Sequence, residues 1–261
     1  MEGLDATQQA ARDQFEGRSA AYGKAHILSQ TDDLRSALPH LAVQRGQRVL
    51  DVATGGGHTA VFFARLGLEV MAADIAPAML AQTGELAREA GVAVATCIHP
   101  AEQMPHPDGC FDLVTCRVAA HHFSCPASFV MESARVLKPG GKLLLIDGSV
   151  EDGQPEAEAW IHEVEKLRDP SHGRFQTPLR WTHLCGHAGL RVIHRELQAM
   201  KQPDLEWYFE TAATLPENRA AVKERVRQAP PQARELFRIS EDDEGKITWW
   251  WRRLVLVAAK L

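Results

Sequence analysis

An acid, three glycines and a second acid define the first chemistry available to this sequence. Asp51 lies inside an apolar run, and Gly55-Gly56-Gly57 follow it just before a helical stretch. Glycines at a strand-to-helix turn let a ligand approach the backbone, and the helix N-terminus offers N–H groups without internal partners. An isolated charge is costly to bury, so Asp51 needs a partner. The cationic amine of a ligand or the N–H groups of the loop would serve. Asp74 ends the next apolar run, 23 positions after Asp51, where a carboxylate accepts hydrogen bonds from a ribose diol. Gly55-x-Gly57-x-x-Ala60 alone is shared with dinucleotide enzymes. In those enzymes the first glycine directly follows the strand, and apolar residues stand at the place of Asp51.

A second group of candidates follows the fourth apolar run. His121 and His122 fall at the rim where open α/β sheets bind ligands. Imidazole accepts a proton near neutral pH, which suits a general base. His122 is the preferred base, with capping a helix or packing beneath a ligand as the alternative. Asp147, at the end of the fifth run, orients a base, touches the acceptor or bonds loop backbone. Arg117 either meets an acidic ligand or forms a structural ion pair. His172, in a Pro170-Ser171 turn, approaches the same region from the following stretch. His183, Cys185 and His187 form H-x-C-x-H, and the two histidines would share a helix face as zinc ligands do. No third ligand and no glutamate base accompany them, so they read as packing and no metal is expected. In Trp249-Trp250-Trp251, alternate side chains face opposite sides of a strand. Covering both faces of a sheet edge suits them better than a binding platform.

These residues need a scaffold. Strands are expected at 48–53, 69–75, 92–98, 111–119 and 142–147, and helices at 59–66, 77–90 and 126–137. Strand runs apolar on nearly every position are buried on both faces. Alternation with helices gives crossover units and a doubly wound parallel α/β sheet. Residues 5–40 carry helical spacing. After residue 150, helices at 155–168 and 178–188 precede a strand at 190–197. A polar helical insert at 203–238, broken at Pro230-Pro231, leads to a final strand at 247–259. The two late strands pair antiparallel at the sheet edge.

Composition sets the outer limits. The chain has 261 residues, 45% hydrophobic and 24% charged, with 29 basic against 34 acidic side chains and a net charge of -5. Such a chain buries a core unaided. Its mild acidity disfavours nucleic acid as a partner. Five cysteines without C-x-x-C spacing argue against a disulfide framework or a thiolate zinc site and point to a reducing cytoplasm. No signal-peptide core is expected near the N-terminus, and the apolar run near 249–259 is too short for a membrane span.

Five ordered segments resemble the class I S-adenosylmethionine-dependent methyltransferases. The segment from Asp51 to Gly57 resembles that family's D-x-x-x-G-x-G motif. Asp74-Ile75-Ala76-Pro77-Ala78-Met79-Leu80 resembles its D-x-[ST]-x-x-M-L element, and Ala101-Glu102-Gln103-Met104-Pro105 its A-E-x-L-P element. Phe111-Asp112-Leu113-Val114 and Arg135-Val136-Leu137-Lys138-Pro139-Gly140-Gly141 resemble F-D-x-V and R-V-L-[KR]-P-G-G. Residues 114–123 and 168–172 are most similar to relatives of the ubiquinone/menaquinone C-methyltransferases.

The resemblance implies a Rossmann-like, mostly parallel seven-stranded sheet with an antiparallel edge strand and helical lid insertions. It implies an N-terminal helical lid over 1–45, a cofactor-binding core over 46–150, and a remainder of the same domain over 151–261 carrying substrate-cap helices. S-adenosylmethionine would then meet Asp51, Ala53, Gly55, Gly57, Asp74, Ile75, Met79, Ala101, Glu102 and Arg117. Tyr22 would shield its methionine end or simply pack. One departure stands out. An acid usually precedes the A-E pair and bonds the adenine amino group, whereas Pro100 occupies that place and offers neither side-chain acceptor nor N–H.

The implied activity is methyl transfer by in-line displacement to an oxygen or carbon of a small molecule. His122, His121 and Asp147 are the catalytic candidates. An N-P-P-Y-like run, typical of amino methylation, is replaced by Arg117-Val118-Ala119-Ala120. The alternatives are a non-methylating enzyme that holds the same cofactor and a non-catalytic cofactor-binding module. A cytoplasmic monomer or homodimer without nucleic-acid partners is expected.

Overall fold

Short apolar runs and helical stretches alternate in space as they do along the chain. The computed structural model describes residues 3–17, 19 and 27–261. Tyr22, expected to shield the cofactor or pack, lies outside the described residues. The N-terminal helices are α1 (Ala6–Glu16) and α2 (Asp32–Leu41). The sheet then begins with β1 (Arg48–Val52), α3 (His58–Arg65), β2 (Glu69–Asp74), α4 (Pro77–Ala90) and β3 (Ala95–Ile98). It continues with β4 (Phe111–Arg117), α5 (Pro126–Val136), β5 (Leu137–Gly148), α6 (Pro155–Arg168), α7 (Pro178–His187) and β6 (Leu190–Gln202). The chain ends with α8 (Leu205–Ala212), α9 (Pro216–Arg227), α10 (Pro231–Leu236), β7 (Ser240–Glu241) and β8 (Ile247–Lys260).

The main sheet runs β3-β2-β1-β4-β5-β8-β6, with the two-residue β7 paired to β8 off this path. The first five strands of that path are mutually parallel. β8 is antiparallel to both β5 and β6. The expected antiparallel pair is therefore β8 with β6, and β8 inserts between β5 and the edge. Strand order reverses between β1 and β4, so the crevice beyond their carboxyl ends is the place where such sheets bind ligands.

Side chains on successive strand residues face opposite ways, and both faces here are apolar. Leu50, Val52, Val114, Cys116, Leu143, Leu145, Leu254 and Leu256 pack with α5 and α7 residues such as Phe129 and Trp181. Val49, Leu113, Leu144, Ile146, Val255 and Val257 pack on the other face with α2 and α3 through Leu34, Leu41, Ala60 and Phe63. Local signals set the helix ends. Asp5 and Gln8 close a capping box on α1. Pro77 opens α4, and Gly91, at φ 68°, stops it.

A second core lies beyond the strand ends. Trp160, Val164, Tyr208, Phe209, Val226, Phe237 and Trp249 bring α6, α8, α9, α10 and the start of β8 together. Pro230-Pro231 separates α9 from α10, as expected. Three boundaries differ from the sequence reading. β3 starts at Ala95 rather than near 92. β5 starts early because Phe111 pairs with Leu137 before the register slips to Leu113 opposite Lys142. β6 runs on to Gln202 because β8 continues to pair with it as far as Trp249. Among the described residues, no helix is long and apolar enough to cross a membrane.

Candidate active site

The glycine loop leaves β1 under backbone strain. Ala53 takes φ 52°, followed by Gly55 at φ 55° and Gly57 at φ 87°. A left-handed alanine costs about 1–2 kcal/mol, so neighbouring contacts must hold it. Asp51 sits opposite Thr115 across β1 and β4. Thr115 Oγ1 donates to Asp51 Oδ1 at 2.6 Å, and Thr54 Oγ1 donates to Oδ2 at 2.6 Å. Burial raises the Asp51 pKa to about 6, against the pull of these two hydroxyls. The sequence reading expected a ligand amine or loop N–H groups as its partner. The threonines take that place, and Asp51 braces the loop from behind.

Asp74 ties the two turns together. Its Oδ2 accepts from the Gly55 N–H and its Oδ1 from the Ala76 N–H, each at 2.9 Å. The Ile75 N–H also bonds this carboxylate; with about four lone-pair sites, about one remains for a ligand diol. Gly57 has a different task from the expected one. A Cβ there would come within 2.9 Å of the Thr83 Cα, and Thr83 Oγ1 also donates to Gly55 O at 2.8 Å. Gly57 lets α3 start against α4 and does not line the cavity.

A cavity opens over these residues. Ala53, Thr54, Gly55, Asp74, Ile75 and Met79 form one wall, continued by His99, Pro100, Ala101 and Glu102. Glu102 is engaged: its Oε1 accepts from the N–H and hydroxyl of Ser124, and its Oε2 accepts from Gln8 Nε2 on α1. It fastens α1 to the rim. Opposite stand His121, His122, Phe123, Phe175, Trp207 and Trp251, with Phe15 of α1. Val118 lines the cavity at φ 56°, a rare conformation for a β-branched residue. Left-handed residues thus end both β1 and β4, the kind of strain that collects at functional sites.

Two adjacent histidines differ sharply in surroundings. His121 Nδ1 lies 2.7 Å from Asp147 Oδ1, and Asp147 is buried at the end of β5. The carboxylate accepts, so Nδ1 carries the proton and Nε2 is the nitrogen left for a ligand. Burial works against the charged ring, but Asp147 outweighs it and lifts the His121 pKa above the ordinary value. His122 Nδ1 instead faces the Ser171 carbonyl at 3.0 Å, with the Ser171 hydroxyl at 3.2 Å. Burial and the neighbouring His121 push its pKa down. Phe15 packs edge-on against it at 5.0 Å. The preferred base of the sequence reading is therefore a neutral, inward-held ring, and its neighbour has the geometry of a base. Asp147 does not line the cavity and touches it only through His121.

Other candidates resolve by their partners. Arg117 lines the cavity but is spent on structure: it pairs with Asp33 at 2.9 Å and donates to the Leu28 and Gln30 carbonyls. His172 is buried beside His121, with ring centroids 5.4 Å apart, and stands behind the cavity wall. Burial holds its pKa far below the ordinary range. Cys185 packs in the sheet core, while His183 and His187 stay exposed. Trp249 is core, as expected, but Trp251 lines the cavity.

Sequence reasoning missed Thr54, Thr115, Val118, Phe175 and Arg168. Gly148 and Gly173 held the available signal. A Cβ at Gly148 would overlap the Phe175 ring, and one at Gly173 would meet the His121 carbonyl at 2.7 Å. Arg168 pairs with Glu165 at 2.9 Å beneath Trp251, and Tyr208 Oη donates to the same carboxylate at 2.6 Å.

Residues 50–145, from the glycine loop to β5, match the Methyltransferase domain family. The chain is 28% identical over 245 residues to the uncharacterized methyltransferase YcgJ of Bacillus subtilis, spanning 93% of this chain and 96% of that protein. The YcgJ crystal structure aligns with a TM-score of 0.81 over 88% of this chain and 99% of its own. A putative methyltransferase of Bacillus halodurans is 32% identical, with a TM-score of 0.82 over the same shares. The ubiquinone/menaquinone biosynthesis C-methyltransferase of Ralstonia nicotianae is 37% identical over 111 residues, 41% of this chain and 46% of that one.

Proposed function

We propose, from the premise that this chain belongs to the class I S-adenosylmethionine-dependent methyltransferases, that it methylates an oxygen or carbon of a small molecule whose proton His121 removes. The observation that carries this reading is the 2.7 Å pair of His121 and Asp147 beside a cavity that Gly55 and Asp74 also line. S-adenosylmethionine, when bound, supplies a sulfonium methyl group already activated for in-line displacement. The protein's share of the work is then orientation, exclusion of water and, where the acceptor is acidic, removal of a proton.

The residues present suit that cofactor. Asp74 keeps a free lone pair for the ribose diol, and Ile75 and Met79 offer an apolar slot for adenine. Ala101 gives the adenine edge a backbone partner where Pro100 has no side-chain acceptor. Ala53 and Gly55 bring backbone close to the methionine end, and Asp51 and Gly57 hold the loop in shape. Glu102 and Arg117 support the site as braces. Helix α1 serves as lid and the helices α6 and α8–α10 of the 151–261 stretch as the acceptor cap, while β6 and β8 complete the sheet.

The cap side selects an apolar, ring-bearing acceptor. Phe123, Phe175, Trp207 and Trp251 give it aromatic walls, and such rings bind planar groups by offset or edge contacts. A phenolic or enolic hydroxyl, or the activated carbon beside one, would lie within reach of His121 Nε2. No residue of the site favours a non-methylating reaction or a binding-only module. The five cysteines are free, which suits a reducing compartment such as the cytoplasm.

Release of S-adenosylhomocysteine, measured with a panel of phenolic and enolisable acceptors, tests this reading. His121→Ala is expected to lower turnover of a competent acceptor by about 100-fold or more, while cofactor binding persists. Unchanged turnover in that variant would remove His121 from the chemistry.

A further inference from the structure

A cluster on the outer edge of the sheet has no place in methyl transfer. Cys97 lies on β3, the edge strand, and His99 follows two residues later, so both side chains leave the extended chain on the same side. His106 returns to them from the loop before β4. The Cys97 Sγ and one ring nitrogen from each histidine all lie within 4.8 Å of one another. The two rings stand 5.2 Å apart at a steep angle.

The ring nitrogens are set for a ligand. His99 Nδ1 lies 2.9 Å from the Pro100 carbonyl. A carbonyl only accepts, so Nδ1 carries the proton and Nε2 keeps its lone pair. His99 Nε2 and His106 Nε2 are both buried, and neither has a hydrogen-bond partner. Buried polar atoms are normally satisfied, and two convergent ring nitrogens without partners beside a thiol call for a ligand.

The third arm is held in place from outside. Arg135 donates to the His106 carbonyl at 2.7 Å and to the Met104 carbonyl at 2.8 Å, while Glu132 accepts from the Met104 N–H at 2.8 Å. The loop that aims His106 is thereby fixed to α5. His106 also packs edge-on against Phe111 at 5.1 Å.

We infer that Cys97, His99 and His106 form a binding site for a single zinc ion. One thiolate and two imidazoles are borderline-soft donors that suit zinc, and three protein ligands leave a fourth tetrahedral position for water. Zinc bonds of about 2.0–2.3 Å in a tetrahedron put the donors about 3.3–3.6 Å apart, so donors within 4.8 Å of one another close by up to about 1.5 Å per pair, within the reach of side-chain rotation. Binding expels the Cys97 thiol proton to solvent. The histidine that donates to a carbonyl through its other nitrogen has the usual arrangement of an oriented metal ligand. This site departs from the expectation that the chain holds no metal, and it lies apart from the H-x-C-x-H helix that first suggested one. The ion would fasten edge strand β3 to the loop before β4. His99 also lines the cofactor-side cavity, so the ion would stiffen that wall.

The test uses the untagged full chain, stripped with a chelator and titrated with cobalt(II), then with zinc(II). One equivalent of cobalt is expected to bind with thiolate-to-cobalt charge-transfer absorption, and one equivalent of zinc to displace it with a dissociation constant of about 1 µM or tighter. Cys97→Ser is expected to abolish that absorption. Cys97→Ser and His106→Ala should each weaken zinc by about 100-fold or more, and His187→Ala should change nothing. His106 is only half-buried, so its variant keeps the test open if Cys97→Ser folds poorly by circular dichroism. The absence of stoichiometric uptake by the wild-type chain would overturn the site. So would a thiolate band or zinc affinity that survives in folded Cys97→Ser and His106→Ala proteins.

Discussion

With His121 as the proposed base, its pairing with Asp147 sets the pH at which the site would act. A base must be unprotonated, and Asp147 raises the pKa of His121 against the effect of burial. Turnover should therefore rise with pH through a limb above the ordinary histidine value of about 6.5. Asp147→Asn removes the charge that favours the imidazolium, so the limb should move to lower pH. The rate on the plateau should fall by about tenfold or more, because a less basic and poorly oriented imidazole is a weaker acceptor. A pH–kcat profile of both proteins checks this; an unmoved limb would mean that another group titrates. The sequence offered two adjacent histidines and no means of ranking them. Their difference comes from residues far along the chain. Register between β4 and β5 aligns Arg117 with Ile146 and so brings Asp147 to His121, while Ser171 turns His122 inward.

Elements around the site are joined by a few buried polar contacts. Asp33 on α2 accepts from Arg117 at the end of β4 and from Arg253 on β8, so one carboxylate holds a helix to two strands. Removing it leaves two buried guanidinium groups without their counter-ion. Asp33→Ala should cost about 3–5 kcal/mol, seen as a lower urea midpoint with little change in slope. A loss below about 1 kcal/mol would show that the pairing is nearly neutral. Helices and strands were largely legible because their periodicity and punctuation agree: Pro77 and Gly91 bound α4, and runs apolar on nearly every position bury both faces of β4 and β5. The length of β6 was not. Its exposure alternates without a strong apolar signal, and pairing along β8 carries it on to Gln202. The partners of Asp51, the packing of Gly57 and the Asp33 link likewise depend on tertiary neighbours that no local pattern encodes.

At the scale of the whole molecule, two apolar cores meet at one cavity. The sheet core carries the glycine loop and Asp74 at the point where strand order reverses. The cap core of α6, α8, α9 and α10 delivers Trp207, Trp251 and Arg168 to the opposite wall. The glycine-loop half was legible because its backbone turns admit few residue types. The cap was legible only as helices, since aromatic packing between distant segments shapes it. Cofactor binding by the loop half underlies every other functional statement. Calorimetric titration of the full chain with S-adenosylhomocysteine measures it directly. The expected result is one site per chain, weakened roughly 10–100-fold in Asp74→Ala through loss of charge-assisted hydrogen bonds. A folded wild-type chain that binds none, or a folded Asp74→Ala that binds equally well, would contradict it.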